Sequence, residues 1–289
     1  MNDVYRFRII GSIECATTLL SFCLSLRIAS IILTSKNLRA TASFQLMAYI
    51  AVMECCQMCG TFIGALMIAC QSTFNDSLND IAGSVTFVSW VTLIVLRFCL
   101  ALNRFTVITN FAFLRESVKR CIHLVTMAFP AVLIVAMVVL CSVFGRSYIV
   151  VLELGTWYLP ASSLLKLVET ICSITLTTLT FVLYVVTGVY VLKKRKRANV
   201  NIKLSDIRIL ISSALSFAYE MSMIAIFHCV FPFVHLPIEG IAVITVMWIA
   251  LPAFNGLILL IVNRSFRSRF FSKKMGSVGS SVQTVKPFK

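Results

Sequence analysis

Charged residues are scarce in this chain of 289 residues, because they make up 13% of it while 59% are hydrophobic. The mean hydropathy of +0.95 lies outside the range of soluble globular domains, of which about 25% is charged. The loops between the apolar runs are too short to hold a second folded domain or an appended catalytic module. We therefore predict one membrane-embedded unit, with no enzyme activity and no cofactor.

The chain also lacks the residue groups that metal, retinal or nucleic-acid chemistry needs. Cys55-Cys56-x-x-Cys59 lies within an apolar run without a second ligand pair, so we predict no metal site. The last apolar run, Ile238–Val262, contains no lysine, which excludes a light-driven pump or photoreceptor with a Schiff base. The net charge of +15 does not indicate nucleic-acid binding, because no soluble domain carries a basic groove with interleaved aromatics.

Long apolar runs recur along the sequence, and each can satisfy its backbone hydrogen bonds as a helix across about 30 Å of hydrocarbon. The runs are Ile9–Leu33, Ala42–Cys70, Ile81–Leu102, Ile122–Phe144, Leu164–Leu192, Ile207–Val230 and Ile238–Val262. They predict an all-α, seven-transmembrane-helix bundle that comprises residues 1–271. A flexible cytosolic tail is predicted at residues 272–289.

Basic residues are concentrated in the loops on one side of the predicted bundle. The opposite loops contain only Arg6, Arg8, Arg146 and Lys166. Because Lys and Arg are enriched in cytoplasmic loops, this asymmetry predicts a multi-pass membrane protein with its N-terminus outside. The cluster Lys193–Arg197 then lies on the cytosolic side, where stop-transfer anchoring and contact with anionic membrane lipid explain its charge.

Two features of the predicted outer side concern covalent modification. Asn75-Asp76-Ser77 is an acceptor sequence in the outer loop between helices two and three, so Asn75 is a candidate glycosylation site. The outer loops themselves contain no cysteine. Four cysteines lie toward the outer ends of their helices, and their spacing leaves any pairing open: Cys70, Cys141, Cys172 and Cys229.

The end of the third predicted helix has the sequence Leu102-Asn103-Arg104-Phe105. It resembles the inner end of helix three in rhodopsin-like G-protein-coupled receptors, and more closely the Leu-Asn-Arg form of nematode serpentine chemoreceptors. The resemblance implies that Asn103, Arg104 and Phe105 belong to the G-protein coupling switch, with Arg104 linking helices three and six at rest. A positive-inside anchor is the alternative explanation of this arginine.

A second motif, Asn255–Leu259 followed by Phe266, resembles the seventh-helix motif that leads into a short amphipathic surface helix. The basic and aromatic stretch Asn263–Phe271 is suited to that helix. The resemblance assigns the asparagine of the motif to the coupling switch. Gly256 and Leu259 replace the expected proline and tyrosine, and the cysteine pair that joins helix three to the second outer loop is missing. These departures favour divergent chemoreceptors similar to the serpentine class T or class X groups.

The resemblance implies a chemoreceptor that detects a small, odorant-like molecule in the outer half of the bundle and signals to a heterotrimeric G protein. The plasma membrane, and the sensory cilium within it, is the location that it implies. The cluster Lys193–Arg197 could then also belong to the G-protein surface, and the sequence does not separate this from lipid anchoring. An arrestin-type regulator is expected on the tail, where phosphorylation of Ser277, Ser280, Ser281 and Thr284 would add negative charge.

Four residues near the predicted outer ends are candidate ligand contacts. They are Trp157 and Tyr158 in the second outer loop, Glu169 near the top of helix five, and His228 near the top of helix six. Each has a structural alternative. Aromatic residues favour membrane interfaces, Glu169 can pair with Lys166, and His228 can mark the water boundary.

Three ionisable residues are predicted to lie deepest in the membrane, namely Glu54, Arg97 and Glu220. An unpaired charge at this depth costs at least about 2.5–3.5 kcal/mol on insertion scales. We therefore predict that Arg97 pairs with one of the glutamates and biases the resting arrangement of helices three and six; the alternative is that each residue relaxes separately. The three residues also keep a polytopic transporter as the alternative function, although the sequence shows no internal repeat.

Overall fold

The computed structural model describes residues 3–109, 116–144, 148–158, 164–197, 204–230, 233–234 and 236–271. The helices are α1 (Asp3–Thr34), α2 (Lys36–Arg39), α3 (Ala42–Cys70), α4 (Asp76–Thr109), α5 (Glu116–Phe144), α6 (Leu164–Arg197), α7 (Leu204–Ala225), α8 (Ile238–Ile249), α9 (Leu251–Val262) and α10 (Arg264–Phe271). A π-helical turn, Ile226–Val230, extends α7. Two short antiparallel strands, β1 (Ile149–Val151) and β2 (Thr156–Tyr158), form a hairpin between α5 and α6.

Five helices, α1, α3, α4, α6 and α7, contain stretches long and apolar enough to cross a membrane. The pair α8 and α9 makes a sixth span if its two halves cross together. Within the residues that the structure describes, α5 contributes a shorter apolar stretch, Ala131–Val143. The chain is therefore a helical membrane protein, and the all-α class is confirmed with one small hairpin added. The count of seven spans stays a prediction.

The two ends of the bundle carry different accessory elements. At one end, which we call the hairpin end, strand β1 packs through Val150 against Phe7 of α1 and against Met67 and Ile68 of α3. At the other end, which we call the surface-helix end, α10 buries Phe266 against α1, α3 and α9. The interior between them is apolar but contains several buried polar side chains.

The predicted short helix after the last span is present as α10. It is held against α1 by Arg269, which donates to Ser35, and by Arg27, whose Nη2 atom donates to the carbonyl oxygen of Phe270 at 3.2 Å. The Arg27 guanidinium also lies 5.9 Å from the centre of the Phe270 ring. Phe271, by contrast, is 71% exposed. This helix therefore has one face packed on the bundle and an aromatic side chain directed away from it.

The third predicted span is longer than its apolar run. Helix α4 begins at Asp76 because the Oδ1 atom of Asn75 accepts a hydrogen bond from the Ser77 N–H at 2.9 Å and so caps the first turn. It continues to Thr109, beyond the predicted end at Leu102. The predicted end at Leu102 is therefore too early, and the Asn103-Arg104-Phe105 triplet lies in the last two turns of α4.

The last predicted span, Ile238–Val262, is divided in the structure, because α8 and α9 meet at Ala250 with a bend of 45°. Pro252 lies at the start of α9, and proline lacks an N–H and crowds the carbonyl group of the preceding turn. The Oγ atom of Ser21 on α1 donates to the carbonyl oxygen of Ile249 at 3.0 Å. A neighbouring helix therefore satisfies a backbone group at the break, which lets the bend persist in an apolar interior.

Candidate functional site

One buried arginine joins three helices. Arg97 on α4 donates through Nη1 to Glu220 on α7, and through Nη2 to the Oε1 atom of Glu54 on α3 at 3.4 Å. The three side chains are 12%, 3% and 4% exposed, respectively. The sequence-based hypothesis paired Arg97 with one of the two glutamates. The structure forms a triad instead, in which both carboxylates share one cation.

Glu54 extends this triad to two more helices. Its Oε2 atom accepts from Ser25 on α1 at 3.0 Å, and its Oε1 atom accepts from the Nδ2 atom of Asn255 on α9 at 3.1 Å. We call Ser25, Glu54, Arg97, Glu220 and Asn255 the Arg97 network. Asn255 was predicted as a separate switch residue, whereas the structure brings it together with the buried charges. Because the network contacts five helices, a shift of any one of them would break a buried hydrogen bond.

A cavity of about 80 Å³ adjoins the Arg97 network toward the surface-helix end. Its α7 wall carries the hydroxyl groups of Ser212, Ser213 and Ser216. The Oδ1 atom of Asn255 is buried and has no hydrogen-bond partner among the described residues. By this measure one water molecule needs about 10–15 Å³, so the cavity has room for several. On this side α7 therefore faces a cavity instead of a packed neighbour, which makes its contact with α4 depend largely on Arg97 and Glu220.

None of the three residues of the helix-three motif is exposed. The Nδ2 atom of Asn103 donates to the Oγ atom of Ser43, at the start of α3, at 2.7 Å. Arg104 is only 5% exposed. Phe105 is half-buried. A membrane anchor would present its charge to water, so the burial of Arg104 favours a role within the bundle.

A second polar centre lies toward the hairpin end, around Glu169 on α6. Its Oε1 atom accepts from Trp90 Nε1 at 3.2 Å and from Ser173 Oγ at 3.1 Å, and lies 3.5 Å from His228 Nε2. Glu169 is only 6% exposed. These three contacts converge on one oxygen atom of the carboxylate. We call Trp90, Glu169, Ser173 and His228 the Glu169 cluster.

The Glu169 cluster contains two of the four predicted ligand contacts. Glu169 and His228 meet, although they come from α6 and from the π-helical turn. Sequence reasoning missed Trp90 and Ser173, because no motif distinguishes them from other residues of an apolar helix. Trp248 of α8 also packs edge-to-face on Trp90, with ring centres 5.7 Å apart. The cluster is therefore a carboxylate set among aromatic rings.

The hairpin separates the other two predicted ligand contacts. Trp157 packs on Gly64 of α3 so closely that a Cβ atom at position 64 would overlap its ring. The hydroxyl groups of Thr156 and Thr245 lie 3.0 Å apart, which joins the hairpin to α8. Tyr158 is 41% exposed. Trp157 therefore closes the hairpin end of the bundle, whereas Tyr158 lies at the surface.

Asn79 attaches the hairpin to α4. Its Oδ1 atom accepts from the Val150 N–H at 2.9 Å, and its Nδ2 atom donates to the Val150 carbonyl oxygen at 3.4 Å. The side-chain amide thus pairs with β1 much as another strand would. One turn later, the absence of a side chain at Gly83 makes room for the backbone of Tyr148. In the receptors that the sequence resembles, a cysteine pair joins helix three to the second outer loop. In this structure, the contacts of Asn79 and Gly83 join α4 to the hairpin in the corresponding place.

Glu14 is a buried carboxylate that sequence reasoning missed. It is 1% exposed on α1, and its Oε1 atom has no hydrogen-bond partner among the described residues. Thr18, Ser21 and Ser25 lie on the same helix face and are equally buried. They form a polar stripe that leads from Glu14 to Glu54. The three-to-four-residue spacing of these polar residues in the first apolar run could have identified the stripe.

Other sequence-based candidates have simpler outcomes. Asn75 is exposed, as a glycosylation site requires. Cys70, Cys141 and Cys172 are free. Three other candidates lie outside the described residues: the tail at 272–289, the side chain of Cys229, and the side chains of residues 194–197.

No protein-family model matches this chain, and no curated protein matches its sequence. Within the described ranges, no group of three or more His, Cys, Asp or Glu side chains is arranged to hold a metal ion. The function must therefore be inferred from the two polar centres and from the sequence motifs.

Proposed function

We propose that the chain is a G-protein-coupled chemoreceptor of the plasma membrane, in the sensory cilium, with seven spans and with the hairpin end outside the cell. In this proposal a small ligand binds near the Glu169 cluster, and a heterotrimeric G protein binds at the surface-helix end. The Arg97 network is the observation that carries the proposal. Arg97 contacts one carboxylate on α3 and another on α7. It can release the carboxylate on α7 while it keeps its contact with the carboxylate on α3. Such an element supports two arrangements of α7.

The two polar centres share one helical segment. His228 lies in the π-helical turn that continues α7, and Glu220 lies two turns before it, about 12 Å along the axis at 1.5 Å per residue. Single π-helical turns occur frequently at functional sites. A ligand that separates His228 from Glu169 would therefore displace the same segment that contacts Arg97. Movement of α7 away from α4 would then open the surface-helix end, where we propose that Arg104 meets the G protein.

The coupling role of Arg104 can be tested in cells that co-express the chain with a promiscuous G protein. We expect small odorants to trigger calcium release, and Arg104→Ala to abolish that response while surface expression is retained. Arg8→Ala is the matched control, because Arg8 is exposed near the start of α1, away from the surface-helix end. A response of Arg104→Ala equal to that of the unmodified chain would contradict the proposed coupling.

The proposed orientation predicts which terminus is accessible on intact cells. An epitope placed before Met1 should bind antibody without permeabilisation, because the basic loops should face the cytosol. An epitope placed after Lys289 should bind only after permeabilisation. The reverse pattern would rule out a receptor of this type.

A transporter that uses buried Glu and Arg residues is the second candidate. Two observations favour it: a carboxyl oxygen of Glu14 has no hydrogen-bond partner in the described part of the chain, and the helix is broken between α8 and α9. Buried ionisable residues and broken helices both occur in transport pathways. This candidate predicts that no ligand elicits a G-protein response in the cell assay, with or without Arg104.

A further inference from the structure

A groove of about 570 Å³ lies between α4 and α5 near the hairpin end. Its volume is within the range of about 300–1,000 Å³ that is typical of small-molecule sites. The residues that line it include none of the four ligand contacts predicted from the sequence. It is therefore distinct from the Glu169 cluster.

One end of the groove carries a carboxylate, whereas the rest of its lining is uncharged. Asp80 and Ser84 lie in the first turns of α4, and Ser142 lies near the end of α5, so these three residues are closest to the hairpin end. Val88, Ser89 and Val138 line the deeper part, which contains no charged residue. Asp80 and Val88 are separated by about 12 Å along α4 at 1.5 Å per residue. This distribution matches a molecule with one polar head and an apolar chain.

We propose that the groove binds a small lipophilic alcohol that reaches it through the bilayer. The hydroxyl group would lie among Asp80, Ser84 and Ser142, and the alkyl chain would lie along Val88 and Val138. A carboxylate accepts several hydrogen bonds, and a serine hydroxyl both donates and accepts. An alcohol can therefore bind here whatever else Asp80 contacts. A fatty acid fits less well, because its carboxylate would be repelled by Asp80.

The floor of the groove adjoins the Glu169 cluster. Val88 and Ser89 line the groove, and the next residue, Trp90, donates to Glu169. Val88 also belongs to the same packed cluster as Trp90. An alkyl chain that presses on Val88 would therefore act on the hydrogen bond between Trp90 and Glu169. This second ligand position goes beyond the proposed function and does not depend on G-protein coupling.

The test uses the full chain in lipid nanodiscs and a photoreactive octanol that carries a diazirine on its alkyl chain. We expect peptide mass spectrometry to locate the label on residues 85–89 of α4 and around Val138 of α5. Val138→Trp fills the groove and should abolish this labelling. Val139→Trp is the matched control, since Val139 is 55% exposed on α5 and does not line the groove. Ser84→Trp blocks the opposite wall and replaces Val138→Trp if that variant fails to fold.

Competition identifies the head group. Excess 1-octanol should reduce the labelling, whereas n-octane, which lacks the hydroxyl group, should not. If octylamine or octanoate reduces the labelling more than 1-octanol does, an alcohol is not the preferred ligand of the groove. Labelling spread evenly over lipid-facing positions such as Val135 and Val139, or labelling that persists when the groove is blocked, would refute the site. The readout is labelling, so these outcomes leave the G-protein proposal to its own test.

Discussion

Replacing Arg97 by methionine is expected to destabilise the protein by about 3–5 kcal/mol, the usual cost of removing one partner from a buried ion pair. Methionine keeps the length and packing of the side chain but leaves Glu54 and Glu220 without their shared cation. Both carboxylates are less than 5% exposed, and the few water molecules that fit the adjoining cavity carry no charge to replace that of Arg97. The measurement is the midpoint of thermal unfolding in detergent, followed by size-exclusion chromatography. In cells, the same variant should change basal signalling, because α7 loses its contact with α4.

Two further sets of variants make this result specific. Arg8→Met is the matched control, because Arg8 is exposed at the start of α1 and should shift the midpoint little. Arg97→Glu should be as harmful as Arg97→Met, and Glu220→Arg should rescue it better than Glu54→Arg. The reason is that Glu54 also accepts hydrogen bonds from Ser25 and Asn255. An arginine at position 54 would leave these two donors facing a cation, whereas no such donors to Glu220 among the described residues would be affected by the exchange at position 220. If Arg97→Met is neutral and neither charge exchange rescues Arg97→Glu, the pairing has no energetic role.

Gly83→Ala is expected to detach the hairpin from α4. An added Cβ atom would overlap the carbonyl oxygen of Tyr148, which is a backbone atom that no rotamer change can move. Overpacking typically costs about 1–3 kcal/mol, and a clash with backbone lies at the upper end of that range. The displaced hairpin should lose the hydrogen bonds between Asn79 and Val150. Hydrogen exchange measured by mass spectrometry should then be faster across residues 148–158.

Gly188→Ala provides the control for this variant. Nothing lies within 4 Å of a Cβ atom at position 188 on α6. Alanine favours a helix over glycine by about 1 kcal/mol, so this variant should be neutral or stabilising and should leave exchange in the hairpin unchanged. Unchanged exchange in Gly83→Ala as well would mean that the hairpin and α4 are not in close contact.

The helices could be predicted from the sequence better than their ends and breaks. The predicted run Ala42–Cys70 coincides with α3, and α6 begins at the predicted Leu164. Helix α4 extends past its run at both ends, because an apolar run marks the part suited to hydrocarbon and a helix can continue into polar residues. Pro252 is visible in the sequence, but the bend beside it also depends on Ser21 of a distant helix.

The candidate site was only partly predictable. Arg97, Glu54 and Glu220 stand out because charges are rare inside apolar runs. Their partners could not be assigned, since three helices must first acquire a mutual register and rotation. Asn79 and Trp90 carried no signal at all, because an asparagine near a helix start and a tryptophan in a membrane helix are both ordinary.

The sequence by itself determined that this protein is a helical membrane protein and that a buried arginine needs an anion. Backbone hydrogen bonding explains this, because in an apolar medium each N–H group must bond the carbonyl group four residues earlier in a helix. The apolar runs in the sequence show which segments lie in that medium. Only the tertiary structure decided that Arg97 serves two carboxylates, that His228 meets Glu169 and that a hairpin closes one end. Those contacts join residues as far apart in the chain as Glu54 and Asn255. Their formation depends on how separate helices pack, which no local pattern records.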